Sequence, residues 1–496
     1  MKDLTRFPSP IYQETVLEPI FEAFKENYYD EMMAINYAHA VILVEQGIIT
    51  KEEGQQIVGA LQEIEQQLVP ESLEYTGEYE DLFFYIEKQL ISKLGMEVAG
   101  KLHTGRSRND INITLFKMKT KQHLFALLNE VVALQETLLQ IAEDNKETLV
   151  IAYTHGQPAQ PTTFGHYLGA LIEILGRDLD RLLNAYSTTD QCSMGAAAIT
   201  TSGFPLNREK IATLLGFSQA QENSYGCIAA VDYLMEVYSA LRILFINLGR
   251  FAQDLDFWTS FEIGHLYVPN EFVQVSSIMP QKRNPVAIEH IRIQASIVVG
   301  LCDTMVSSMR NTPFADMNDA EDPIQVVGFD AFNKARRCLK LVKGFVAGLQ
   351  VDEAKVKKHM AESFVTITEL ADSLVREENI SFRAAHEVAS ILVRNLIAEG
   401  KNLRSVKYGQ FEAYFQEVTG RKPHISPAKL AEVLDPTYFV QVRNCQGGPA
   451  LPALKASLNK YRRKLDDHQA TIERLARQEQ GAKKLLQTEV HTVIGI

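Results

Sequence analysis

The sequence predicts an all-α fold built on long helices. Apolar residues recur in helical steps over long stretches, and no alternating apolar–polar segments paired by hairpin turns interrupt them. The third observation is the composition: 46% apolar and 23% charged residues in 496, enough to bury an ordinary globular core. That length corresponds to about two to four structural units.

Residues 1–110 read as shorter helices, and Thr50-Lys-Glu-Glu53 is a capping box that opens a helix over 51–68. Residues 111–362 carry the long elements. Over 111–145, Leu124, Leu127, Leu128, Val131, Leu134, Leu138 and Ile141 form one apolar face, and similar stretches cover 162–186, 231–261, 285–310 and 325–349. Helices beyond 25 residues reach about 38 Å. Such bundles often cover their wide apolar faces with further copies of the chain, so a homo-oligomer is expected, with a monomeric bundle as the alternative. From 363 to 496 the helices shorten, and Pro427, Pro436, Pro449 and Pro452 break the pattern. Boundaries near 110 and 362 thus divide the chain into three.

Charge and composition exclude several functions. Fifty Lys and Arg against 62 Asp and Glu leave −12, which supplies no basic footprint for nucleic acid. The run VVALQETLLQIA is broken by Gln and Glu, so no membrane span is expected. The N-terminus lacks a basic region followed by a long apolar one, and no secretory signal is expected. Five cysteines (Cys192, Cys227, Cys302, Cys338 and Cys445), odd in number and widely spaced, argue against a disulfide framework or zinc site. A reducing cytoplasm follows as the expected setting.

Three loops carry more chemistry than a helix connection needs. His103-Thr-Gly-Arg-Ser-Arg-Asn-Asp110 precedes the first long helix, with Asn109 or Asp110 as its N-cap. Arg106 and Arg108 beside that helix start offer guanidinium forks to a carboxylate, although a solvated basic turn has the same composition. In Thr154-His-Gly-Gln-Pro-Ala-Gln-Pro161 the prolines keep the chain extended, and Gly156 admits a ligand close to the backbone. His155 there suits proton transfer, as well as a merely structural role. In Ser276-Ser-Ile-Met-Pro-Gln-Lys-Arg-Asn-Pro285, Asn284 and Pro285 read as N-cap and N1, with Lys282 and Arg283 at the positive end of the helix dipole. Either an anion arrives there, or this is a capped helix with a polar entry loop. Together the loops suit acid–base work on a small polycarboxylate, with no metal and no cofactor.

With these residues in view, the chain resembles the fumarase/aspartase superfamily and, within it, the argininosuccinate lyase family. The segment 276–285 is similar to the superfamily signature; HTGRSRND, the Thr-His-Gly-Gln-Pro segment, GFPLNRE (203–209) and Asn223-Ser224 are similar to that lyase. The resemblance spans most of the chain in the right order. It implies a three-domain homotetramer with a long central bundle, whose sites combine loops from three subunits. It also implies anti β-elimination of an N-substituted aspartate to fumarate and an amine or guanidine, argininosuccinate first. Ser276 matches the base, His155 the acid and Glu289 its partner, while Lys282 and Asn284 match the carboxylate holders. Ser107, Arg108, Asn109, Thr154, Gln157 and Ser277 match substrate contacts.

The chain departs from the family at several places. Val275 stands for a glycine, Val231 for an arginine, and Phe83 with a neighbouring aromatic for a His and Asn near Asp81. Where the family carries a Tyr-Asn-Lys-Asp-x-Gln-Glu-Asp-Lys-like stretch, this chain reads Asp316-Met-Asn-Asp-Ala-Glu-Asp-Pro-Ile324, without the tyrosine, glutamine and lysine. The elimination residues are kept and the amine side is altered. Lyases of another N-succinyl amine or amino acid, a fumarase or aspartase proper, and a silent structural oligomer are the alternatives.

Overall fold

The computed structural model describes residues 7–495. Helices α1 (Glu18–Asn27), α2 (Tyr29–Glu45), α3 (Lys51–Gln67) and α4 (Leu82–Leu94) form the first layer. The capping box of α3 is present: Thr50 N–H donates to Glu53 Oε2 (3.0 Å), and Glu53 N–H to Thr50 Oγ1 (3.2 Å). Then comes α5 (Arg108–Asp144), followed by strands β1 (Leu149–Thr154) and β2 (Gln157–Thr163). The bundle continues with α6 (Phe164–Thr189), α7 (Asp232–Thr259), α8 (Val286–Ser308) and α9 (Asp322–Gly348). Strands β3 (Gln274–Val275) and β4 (Arg283–Asn284) pair antiparallel between α7 and α8. Helices α10 (Ile367–Glu378), α11 (Phe382–Ala398), α12 (Tyr408–Thr419) and the 44-residue α13 (Leu451–Ile494) complete the chain.

The class is all-α, 71% helical. Helices α5 to α9 begin and end within three residues of the sequence expectation. The 44-residue α13 overturns the expectation that helices shorten after 363: Pro452 sits in its first turn, where a proline starts a helix instead of breaking it. Leu124, Leu127, Leu128, Val131, Leu134 and Leu138 of α5 are wholly buried, in the core that α5 forms with α6 and α9 on either side of it. Each such side chain contributes about 1.5–3 kcal/mol of transfer free energy. A second core joins α1–α4 to the start of α5, and a third lies among α10–α12. Helix α13 packs along α5 and α6 and then reaches α2 and α3, so its ends lie in different cores. By length and hydropathy α5 could cross a membrane, a test that core helices also pass; half of the relevant window is buried within the fold.

Two local readings are corrected. Residues 149–163 form a hairpin, not merely an extended segment: Val150 and Ile151 favour strand, and His155 and Gly156 both take positive φ (54° and 72°) at its two-residue turn. Pro158 and Pro161 are tolerated because both strands are edges. The cap of α5 is Ser107, two or three residues earlier than expected. Asp110 accepts from Ser107 N–H, closing a capping box instead of capping the helix itself.

Asp110 is fully buried. Its Oδ1 accepts from Ser107 N–H (2.8 Å), and its Oδ2 from the amides of Gly195 (2.9 Å) and Ala197 (3.1 Å). One carboxylate therefore starts α5 and ties it to a loop 85 residues away. Further along, Lys121 Nζ meets Asp190 (2.6 Å), Glu479 of α13 (3.0 Å) and the Gly216 carbonyl (2.6 Å), so its buried charge is paired.

Asp110→Ala should lower stability by about 2–4 kcal/mol, since it opens the capping box and leaves the Gly195 and Ala197 amides without their acceptor. Chemical denaturation beside the wild type measures this, and a loss below about 0.5 kcal/mol would refute the role given to Asp110.

Candidate active site

The first loop lies where α5 begins. Ser107 Oγ donates to Asn109 Oδ1 (2.8 Å) and accepts from Asn109 N–H (3.3 Å), which orients the amide. Asn109 Nδ2 then donates to Asp316 Oδ2 (2.6 Å) on the segment before α9. Arg108 Nη1 lies 2.8 Å from Asp81 and 3.1 Å from Glu80, with its guanidinium over the Phe84 ring. The fork offered by the sequence to a substrate carboxylate thus already faces two protein carboxylates. Arg106 does not join it: buried, it donates to Asn36 Oδ1 (2.8 Å) inside the first layer. Sequence spacing cannot separate the two arginines; the turn at Gly105 (φ 76°) and the start of α5 send them to different environments.

The second loop is the β1–β2 hairpin tip. Thr154, His155, Gly156 and Gln157 are all exposed there. The third is the excursion between β3 and β4. Ser276 Oγ accepts from the amides of Ile278 (3.3 Å) and Met279 (3.0 Å), so two N–H dipoles already point at the oxygen. Asn284 Nδ2 donates to the Gln274 carbonyl (3.1 Å) across the ladder. This corrects the N-cap reading: Asn284 is a strand residue and Pro285 occupies the cap of α8. Arg283 is held by the Val268 carbonyl (2.7 Å), Asn270 and the Tyr267 ring. Ser277, Lys282 and Glu289 are exposed. Val275, in the glycine position, points 75% exposed from β3, and Ile278 is 82% exposed.

Among the described residues no hydrogen bond or ion pair joins the three loops within one chain, and none links His155 to Glu289. What the chain does assemble was not anticipated from sequence. Around Arg108 stand Glu80, Asp81, Asp316, Glu321 and Asp322, lining one cavity. The acidic letters of 316–322 are a visible signal, but their partner Asp81 lies far away in sequence. Burial pushes the Asp81 and Asp316 carboxyls up, against the pull of Arg108. Glu321 rises to about 7 through burial and then Asp316; Asp322 rises to about 7 through burial and then Glu321. Among the described residues no group of His, Cys, Asp and Glu is disposed to hold a metal ion.

A carboxyl whose folded pKa is raised favours folding fully below its unfolded pKa, and this contribution is lost as pH rises through the folded one. For Asp322 the window runs from the ordinary 3.8 to about 7. Asp322→Asn should therefore gain thermal midpoint over the wild type on going from about pH 4 to about pH 8. A difference between variant and wild type that is flat with pH would contradict the buried, ionising carboxylate.

A lyase family model matches residues 12–300, and an argininosuccinate lyase C-terminal model matches 364–441. Argininosuccinate lyase 2 of Agrobacterium fabrum is 48% identical over 472 residues, covering 95% of this chain and 94% of that protein. The argininosuccinate lyase of Methanocaldococcus jannaschii is 33% identical over 464 residues, 94% of each. The crystal structure of an EDDS lyase in complex with formate superposes with a TM-score of 0.86 at 29% identity, covering 98% of this chain and 96% of that one. These matches run almost end to end, and the fold beneath them is the same long-helix bundle. The chain belongs to the argininosuccinate lyase family of the fumarase/aspartase superfamily and is a carbon–nitrogen lyase.

Proposed function

We propose that the chain cleaves an N-substituted L-aspartate by anti β-elimination, releasing fumarate and an amine or guanidine, with argininosuccinate as the first substrate to test. Ser276 takes the Cβ proton, the electron pair moves into the carboxylate-stabilised carbanion, and the C–N bond then breaks as the nitrogen is protonated. A serine hydroxyl ionises only in a preorganised field. The observation that carries the assignment is the pair of backbone amides at 3.0 and 3.3 Å from Ser276 Oγ, a local oxyanion cradle on an exposed loop.

Lys282 and Asn284 hold the carboxylate whose charge grows, and His155 with Glu289 delivers the proton to nitrogen. Ser107, Arg108, Asn109, Thr154, Gln157 and Ser277 contact the remaining substrate atoms. The hairpin tip and the Ser276 loop project from the chain, which supports sites completed by neighbouring subunits. The fold family implies oligomerisation; a tetramer is part of this proposal. Ile246 of α7 with Ile293 and Ile297 of α8 are 45%, 56% and 41% exposed, an apolar face suited to a further copy. The division at 110 and 362 belongs to the same reading, with α13 assigned to the bundle it packs along. So does a cytoplasmic setting, supported by four buried free thiols.

Ser276→Ala should lower fumarate release, followed by its ultraviolet absorbance, by about 10²-fold or more while leaving the thermal midpoint unchanged. Retention of about a tenth of the activity would remove Ser276 as base. Ile293→Asp should dissociate the oligomer and abolish turnover together, as read by sedimentation and rate. A fully active monomer would exclude shared sites.

A further inference from the structure

A cavity of about 510 Å³ opens beside the third core, and none of the three loops lines it. Its walls come from the start of β1, the helix Glu353–Glu362, the turn Leu403–Ser405 and the helix Pro427–Val433. The floor is apolar: Met360, Leu403 and Leu430 are buried there, with Leu434 half-buried beside them. Tyr408 adds an aromatic ring whose hydroxyl is committed to the Ile425 carbonyl (2.8 Å). The rim carries exposed Lys357, Arg404 and Asp435. Arg404 Nη2 donates to the Lys357 carbonyl at a long 3.5 Å, and Lys357 Nζ lies 3.6 Å from Glu353. Asp435 Oδ1 accepts from the amides of Thr437 (2.7 Å) and Tyr438 (3.3 Å), starting the helix Pro436–Gln441. Among the described residues neither Arg404 nor Asp435 enters an ion pair. Opposite charges that border one cavity without meeting leave a place for a ligand carrying both, and the floor asks it for an apolar body.

We propose that this cavity is an effector site for a free α-amino acid with a large apolar side chain, an aromatic one above all. The ligand carboxylate meets Arg404 and Lys357 in charge-assisted hydrogen bonds, and its ammonium meets the Asp435 oxygen that the helix cap does not use. The side chain covers the floor, where Met360 and Tyr408 supply sulfur and ring contacts that favour an aromatic group. Neither charge suffices alone. An amine without a carboxylate leaves Arg404 unmet, and a carboxylate without an ammonium faces Asp435 unshielded. The site also bears on the bundle. Leu149 lines the cavity and opens β1, and Met360 packs with Leu149, Ile151 and Tyr153 beneath that strand. The same hairpin carries His155 at its tip, so a ligand on the floor presses on the seat of a loop assigned to the reaction. Binding itself does not depend on the elimination reading; only the effector role does.

Titration calorimetry on the full-length protein tests this with L-phenylalanine, 3-phenylpropanoate and phenethylamine, which share the ring and differ in their charged groups. Phenylalanine should bind with a Kd below about 1 mM, and each analogue about tenfold or more weakly. Asp435→Asn keeps a capping side chain but removes the charge, so it should weaken phenylalanine and bring 3-phenylpropanoate level with it. Arg404→Ala should weaken phenylalanine and leave phenethylamine unchanged. Ala431 lines the cavity, and Ala431→Trp should fill it and abolish binding without lowering the thermal midpoint of the free protein. An analogue that matches phenylalanine on the wild type, undiminished binding by Ala431→Trp, or no binding by the wild type overturns the inference. If Ala431→Trp fails to fold, the three ligands on the wild type and on Asp435→Asn decide it. Saturating phenylalanine should change kcat/KM for fumarate release by about twofold or more in the wild type and not in Ala431→Trp. An unchanged rate overturns the effector role. If no fumarate is released at all, the lyase reading has failed, and calorimetry still judges the cavity.

Discussion

The architecture depends on a buried carboxylate. Asp110 is fully enclosed, and burial pushes its carboxyl up to about 7 although three backbone amides pull the other way. A group so placed is costly unless every acceptor is met, and here the Ser107, Gly195 and Ala197 amides meet it. The constraint starts a 37-residue helix at a defined residue and docks the 193–197 loop on it. Asn109 and Arg108 belong to the same first turn, so their directions follow from that one anchor.

The second constraint is what the chain leaves unburied. The His155 turn and the Ser276 loop project from the α5–α6 and α7–α8 connections, and each is stiffened by its own short ladder. Stiff, projecting hairpins carry a cost in exposed apolar surface, visible at Val275 and Ile278. A site assembled from such loops gains exclusion of water only when another surface closes over them. The same logic accounts for the apolar stripe of α7 and α8, which is more than a lone bundle needs to expose.

The Ser276 loop and the carboxylate-lined cavity lie on different parts of the fold. The residues assigned to proton removal and carboxylate holding lie on the β3–β4 excursion, whose ladder and Arg283 anchors are local. The cavity around Arg108 draws on three distant pieces: Glu80 and Asp81 before α4, Arg108 and Asn109 on α5, and 316–322 around the start of α9. A site made of distant pieces can change its charge without disturbing the loop that performs the chemistry. Loss of the tyrosine, glutamine and lysine from the 316–324 stretch is a change of that kind.

The helical class and the extents of α5 to α9 were legible in the sequence, because helical periodicity is a local property; the 44-residue α13 was not. The candidate loops were legible too, since Ser276, Lys282 and His155 stand in dense, distinctive segments. The true cap of α5, the strand placement of Asn284 and the hairpin at 155–156 were not. Each depends on which of several adequate local partners the surrounding chain selects. Only tertiary structure parted Arg106 from Arg108, gathered carboxylates from residues 80–81 and 316–322 around the latter, and brought α13 back along the bundle. Sequence by itself determined what each segment is able to form; burial and charge, set by neighbours hundreds of residues apart, decided which of those capacities the folded chain uses.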